Sequence, residues 1–67
     1  MTCTGLIIFY REKEGYGYLR LPATREEFHF RAKHLRTPVR AGDHVQFVLR
    51  QNRQGYYADD IRVMRMT

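Results

Sequence analysis

Serine is absent from the 67 residues, cysteine occurs once, proline twice, and no apolar run approaches the thickness of a bilayer. Each scarcity closes a class of function. The missing serine removes the commonest hydroxyl nucleophile of acyl transfer. Asp59 and Asp60 are adjacent on an expected strand, so their side chains should point to opposite faces and cannot act as a carboxylate pair. No catalytic group emerges, and the chain does not read as an enzyme. The single thiol, Cys3, allows no internal disulfide and fits a reducing, intracellular setting. Cys3, His29, His34 and His44 lack the paired spacing of a zinc site, and Cys3 is expected on a frayed end, so no metal is expected. Gly15-Tyr16-Gly17 lacks the third glycine and the following helix of a dinucleotide fingerprint, and no cofactor is expected. The apolar run Leu6 to Tyr10 is too short for a signal sequence, and no segment nears the roughly 20 apolar residues that span a bilayer. The chain reads as soluble and cytoplasmic, with no membrane partner.

What the chain does have is positive charge and strand-forming residues. Lys and Arg number 12 against 7 Asp and Glu, a formal net charge of +5, with a pI near 9.9. Arginine outnumbers lysine, and its planar fork suits both phosphate and stacking on bases. A polyanion is the first partner to consider, beside the plainer role of charge in solubility. The length allows one domain, over residues 1–67, and a domain of this size buries only about 60% of its unfolded surface.

Helical periodicity is weak and strand alternation is clear. Leu6 to Tyr10 is β-branched and aromatic, and a charged turn follows over Arg11 to Gly15. From Tyr16 to Leu21, Tyr16, Tyr18 and Arg20 share one face, while Gly17, Leu19 and Leu21 share the other. Phe28 and Phe30 alternate with His29 and Arg31. Val45, Phe47 and Leu49 oppose His44, Gln46, Val48 and Arg50. A turn over Gln51 to Gly55 leads to a last strand from Tyr56 to Met64, whose alternation slips between Ala58 and Ile61, as at a bulge. Pro22 and Pro38 fall at expected turns. Five short antiparallel strands with so few core residues predict an all-β fold, a small closed or nearly closed barrel. With Leu19 and Leu21 inside, Tyr16 and Tyr18 must lie outside.

The segment GLIIFYREKEGYGYL, Gly5 to Leu19, resembles the opening of a cold-shock domain: glycine, apolar strand, aromatic pair, charged turn, then alternating glycine and aromatic. EFHFRAKHL, Glu27 to Leu35, resembles that family's second motif. VRAGDHVQFVL, Val39 to Leu49, and QGYYADDI, Gln54 to Ile61, are similar to its fourth strand and the start of its fifth. The similarity covers nearly the whole chain in order, with a shorter connection around Arg36 to Pro38. It implies a small five-stranded antiparallel Greek-key barrel of the OB type that binds single-stranded RNA or DNA without catalysis, as nucleic-acid chaperone, antiterminator or regulator of translation. The family's stacking rings correspond to Phe9, Tyr16 and Tyr18, with His29 at a further ring position and Arg31 at a histidine position. Phe9 stands in place of the usual tryptophan, Ile8 and Glu14 where lysine is usual, and Ala32 in place of another ring. These departures imply a face with fewer rings and more arginine, leaning toward phosphate contacts.

The candidate nucleic-acid-binding residues are therefore Phe9, Tyr10, Lys13, Tyr16, Tyr18, His29, Arg31 and Arg53. Exposed rings stack on any base, at about 1–3 kcal/mol each. Tyr10 either joins that face or packs into the core. His29 can stack or donate a hydrogen bond; Lys13, Arg20, Arg50 and Arg53 are candidates for phosphate, and Lys33, His34, Arg36 and Arg40 form a further basic run. Gly17 avoids crowding the interior. A second reading is a protein-interaction module, since Glu12, Glu14, Glu26 and Glu27 set acid near the face and small barrels host many functions. A monomer is expected, or a dimer formed by strand exchange through the middle connection.

Overall fold

In the computed structural model, which describes residues 2–64, five strands carry almost all of the regular structure. They are β1 (Thr2–Arg11), β2 (Tyr16–Arg20), β3 (Glu27–Arg31), β4 (His44–Asn52) and β5 (Gly55–Val63). They close into a barrel in the order β1-β2-β3-β5-β4, with β4 returning to β1. This is the expected all-β, five-stranded OB-type barrel. The antiparallel expectation needs one correction. A closed ring of five strands cannot alternate direction all the way round, and the exception is β3 with β5, parallel at His29↔Tyr57. The other four junctions are antiparallel.

The interior is filled by the side chains that strand alternation predicts. Ile7, Leu19, Phe28, Phe30, Val45, Phe47, Ala58 and Ile61 are buried, one or two from each strand, and Val39 joins them from the middle connection. Two large rings fit this small space because glycines face them. A Cβ on Gly5 would lie 3.1 Å from Phe47 Cε1, and one on Gly17 would lie 2.7 Å from Phe30 Cζ. Small residues opposite large ones let the layers of a narrow barrel interdigitate at native density.

Two bulges decide which side chains face outward. In β5 the pairs Gln46↔Arg62 and Val48↔Asp59 take two steps on β4 against three on β5. The extra residue carries Asp60 into the left-handed region, at φ 52°. Ala58 and Ile61, three apart, consequently both point inward, as the slip in alternation indicated. In β1 the pairs Ile7↔Leu19 and Phe9↔Tyr18 leave Ile8 as the extra residue. Unbroken alternation would put Phe9 inside with Ile7; the bulge turns it out beside Tyr18.

β1 begins at Thr2, well before the expected Leu6, because its first half pairs with the start of β4. Cys3 is therefore opposite Phe47, half-buried and packed on the core, not on a frayed end. The middle connection opens with one 3-10 turn, Ala32–His34, and is then tied down. Leu35 bridges to Ile61, and the Arg36 N–H donates to the Ile61 carbonyl at 2.8 Å. Thr37 Oγ1 accepts from the Val63 N–H at 3.1 Å. Among the described residues no helix is long and apolar enough to cross a membrane.

Candidate functional site: an aromatic row across four strands

The register of the barrel builds the site. Phe9 pairs with Tyr18 across β1 and β2, Tyr18 with His29 across β2 and β3, and His29 with Tyr57 across β3 and β5. Four rings from four strands thus stand side by side on the outer surface. Phe9 and Tyr18 are 5.5 Å apart between centroids, and Tyr18 and His29 meet edge to face at 5.6 Å. Both separations lie within the range at which aromatic pairs attract. All four rings are half-buried.

Two residues along the strands lies a second row, Arg11↔Tyr16↔Arg31. Tyr16 joins the two rows, 6.0 Å from Phe9 and 6.4 Å from His29, almost parallel to the imidazole. Arg11 and Arg31 thus flank Tyr16 in the strand register, and among the described residues neither makes an ion pair. On the other flank Arg20 pairs with Glu27 at 2.8 Å, which neutralises that edge. Arg50 is held by Asp59 at 2.6 Å and Arg36 by Asp60 at 2.7 Å. These structural pairs consume acids and leave the cations beside the rings uncommitted.

The candidates from sequence sort into three groups. Phe9, Tyr16, Tyr18, His29 and Arg31 come together on this face. Lys13 lies in the exposed turn between β1 and β2, flanked by Glu12 and Glu14, and Arg53 in the exposed turn between β4 and β5. Tyr10 turns the other way. It lies opposite Gly17 and stacks on the buried Phe30 at 5.8 Å, so its ring caps the core and is not part of the face. Asp59 and Asp60 serve different arginines, and the Asp60 N–H donates to Asp59 Oδ1 at 2.8 Å.

Tyr57 was not among the candidates, nor was Arg11. Alternation alone could have turned Tyr57 outward from the buried Ala58. Its place beside His29, however, depends on a parallel junction 28 residues apart in sequence, which no local pattern encodes.

Beyond Tyr57 the row opens into a groove of ≈ 420 Å³ between the 3-10 turn and the β4–β5 turn. His34 forms part of its wall, its ring 4.9 Å from Tyr57. The Arg31 N–H donates to His34 Nδ1 at 3.0 Å, a bond that needs the unprotonated nitrogen. Burial holds the imidazole below its ordinary value; Asp59 opposes this, and the charges of Lys33, His29 and Arg31 reinforce it. Burial tends to raise the Asp59 carboxyl, but the Arg50 hydrogen bond, the Asp60 N–H and His34 outweigh it and hold the group below the usual range. Asp60 is lowered chiefly by its hydrogen bond from Arg36, with Arg62 adding to it against some desolvation. Among the described residues no cluster of three or more His, Cys, Asp or Glu is placed to hold a metal ion.

Comparison with known proteins finds neither a family model nor a curated protein that matches this chain.

Proposed function

We propose that this barrel binds single-stranded nucleic acid, RNA or DNA, without catalysing a reaction, in the manner of the cold-shock domains whose motif order its sequence resembles. The observation that carries the reading is the row Phe9, Tyr18, His29 and Tyr57, joined through Tyr16 to Arg11 and Arg31, which make no ion pair among the described residues. Every base has a π-face, so such a row accepts a strand with little regard to sequence. Arg11 and Arg31, beside Tyr16 in the register, would meet the backbone of a stacked strand, and among the described residues neither pairs with a carboxylate. A binder of this kind holds strands open, which suits an RNA chaperone or a regulator of transcription or translation.

The test is fluorescence anisotropy of a labelled pyrimidine-rich strand at low and physiological salt, with native protein and a Tyr16→Ala/Tyr18→Ala variant whose fold is checked by circular dichroism. Affinity is expected to fall by about 0.7 log units per log unit of salt for each phosphate neutralised. The folded double variant should lose about 2–6 kcal/mol, from about 1–3 for each stack. No binding at either salt would reject the reading and favour a protein partner, toward which Glu12 and Glu14 beside Lys13 would then point.

A further inference from the structure

The seam between β3 and β5 has few backbone rungs. The strands share the pair His29↔Tyr57, and the next bridge, Leu35↔Ile61, comes only after the 3-10 turn. Between these two points a side chain does what the backbone does elsewhere. The Arg31 N–H, at the end of β3, donates to His34 Nδ1 at 3.0 Å. The same imidazole lies 4.9 Å from the Tyr57 ring between centroids, tilted by 33°. One half-buried side chain thus links the two banks, β3 through its nitrogen and β5 through its ring.

A carbonyl in this place would be indifferent to pH, and an imidazole is not. Nδ1 accepts only while it carries no proton; the imidazolium has two donors and no acceptor. Protonation would set an N–H against the Arg31 N–H and break the link. The groups facing His34 come from several elements. Asp59 on β5 favours a proton on the ring, while its own carboxylate is tied to Arg50 at 2.6 Å. His29 and Arg31 on β3 and Lys33 in the turn disfavour it, and burial, the largest influence, acts with them. The facing ends of β4 and β5 add Asn52, Gln54 and the Tyr56 phenol, none of them a charge. The fold therefore favours the neutral, bonded ring, which gives way as pH falls below the ordinary value of 6.5.

What the link supports is the aromatic row. His29 stands on one bank and Tyr57 on the other, so the row crosses the seam beside His34. Rings already held in place spare an incoming strand the cost of ordering them. We propose that His34 is a pH-sensitive latch across the β3–β5 seam, and that its protonation opens the seam and weakens single-strand binding. By reciprocity, a bound strand holds the latch shut and makes His34 harder to protonate. This control presupposes the single-strand binding proposed above and adds regulation to it.

The first test measures affinity for one oligothymidylate between pH 7.5 and 5 at constant salt, for native protein and His34→Asn, with the fold checked by circular dichroism at each pH. Asparagine carries Oδ1 where histidine carries Nδ1, so it can accept from the Arg31 N–H at every pH. His29 and the other titrating groups are common to both proteins, so the ratio of the two affinities isolates His34. The native protein should weaken relative to the variant by about fivefold or more across this range, the lower end of ordinary coupling between sites. A flat ratio would overturn the latch. A native protein that gains on the variant at low pH would overturn it too, in favour of an imidazolium that meets phosphate directly. The second test needs no variant: proton NMR follows the His34 imidazole through its titration in native protein, free and saturated with the strand. The strand should displace the midpoint to lower pH, and an upward displacement or none would overturn the latch. A native protein that binds no strand at pH 7.5 would instead reject the single-strand reading, and the latch's role with it.

Discussion

Gly17→Ala drives a methyl group into the narrowest part of the barrel wall. The new Cβ would meet the backbone carbonyl of Phe9, stand 2.7 Å from Phe30 Cζ and 3.1 Å from Tyr10 Cα. Ordinary contact starts near 3.4 Å, so Phe30 would have to retreat by about 0.7 Å. It has nowhere to go, since its ring is fully buried and already stacked against Tyr10. The Phe9 carbonyl belongs to the partner strand and can move only by separating β1 from β2. Overpacking costs about 1–3 kcal/mol, and a clash with backbone belongs at the upper end. The alanine also restricts the unfolded chain, which offsets about 0.4–1 kcal/mol. The net loss should be about 2–2.6 kcal/mol. At about 4–8 °C per kcal/mol for a domain this small, the melting temperature should fall by about 8–21 °C. Thermal circular dichroism and urea titration on native and variant protein measure it. A fall of less than about 4 °C would show that the wall is not the constraint described here, since even the low estimate of 2 kcal/mol requires more.

Three further outcomes follow from the same geometry. Arg31→Ala should reduce the salt slope of single-strand binding by about 0.7, one phosphate's worth, while Arg36→Ala, whose charge is spent on Asp60, should leave that slope alone. Tyr57→Ala should weaken binding by about 1–3 kcal/mol, and Tyr57→Phe should largely retain it, because stacking uses the ring and not the hydroxyl. Because the folded His34 binds its proton less readily than the ordinary value of 6.5, the unfolded chain takes up protons first as pH falls; the stability this group contributes is full above that value and lost below it. Urea midpoints between pH 7.5 and 5, native against His34→Gln, read this directly: the native fall should flatten in the variant, and parallel curves would assign it elsewhere. The lowered Asp59 and Asp60 carboxyls act at lower pH, contributing above their ordinary 3.8 and losing that contribution as pH drops through their folded values.

Much of this molecule can be read from period-two alternation. Gly17, Leu19, Phe28, Phe30, Val45 and Phe47 face inward as their spacing says, and the same rule puts Tyr16, Tyr18, His29 and Arg31 on the surface. The slip between Ala58 and Ile61 also announces its bulge, because two buried apolar residues three apart can share a face only if one residue is extra. Ile8 gives no such sign. Ile7, Ile8, Phe9 and Tyr10 are all apolar or aromatic, so no polar position marks where the alternation breaks. The facing of Phe9 and Tyr10, one out and one in, is settled by pairing with β2. Cys3 and the early start of β1 depend on a partner more than 40 residues away, at Phe47. Direction is a different matter: the parallel junction follows from counting to five in a ring, and it brings in Tyr57, the ring that local patterns leave out.

That junction is also the thinnest part of the barrel. β3 and β5 share one register pair, His29↔Tyr57, whereas every other junction carries a run of them. A cylinder under thermal stress parts first along its least stitched line, so the local opening of lowest free energy should run between β3 and β5. The aromatic row lies across this line, with His29 on one bank and Tyr57 on the other. A strand stacked on both rings would therefore act as a suture, and amide protons flanking the junction should exchange more slowly in its presence than rings on one side alone could achieve.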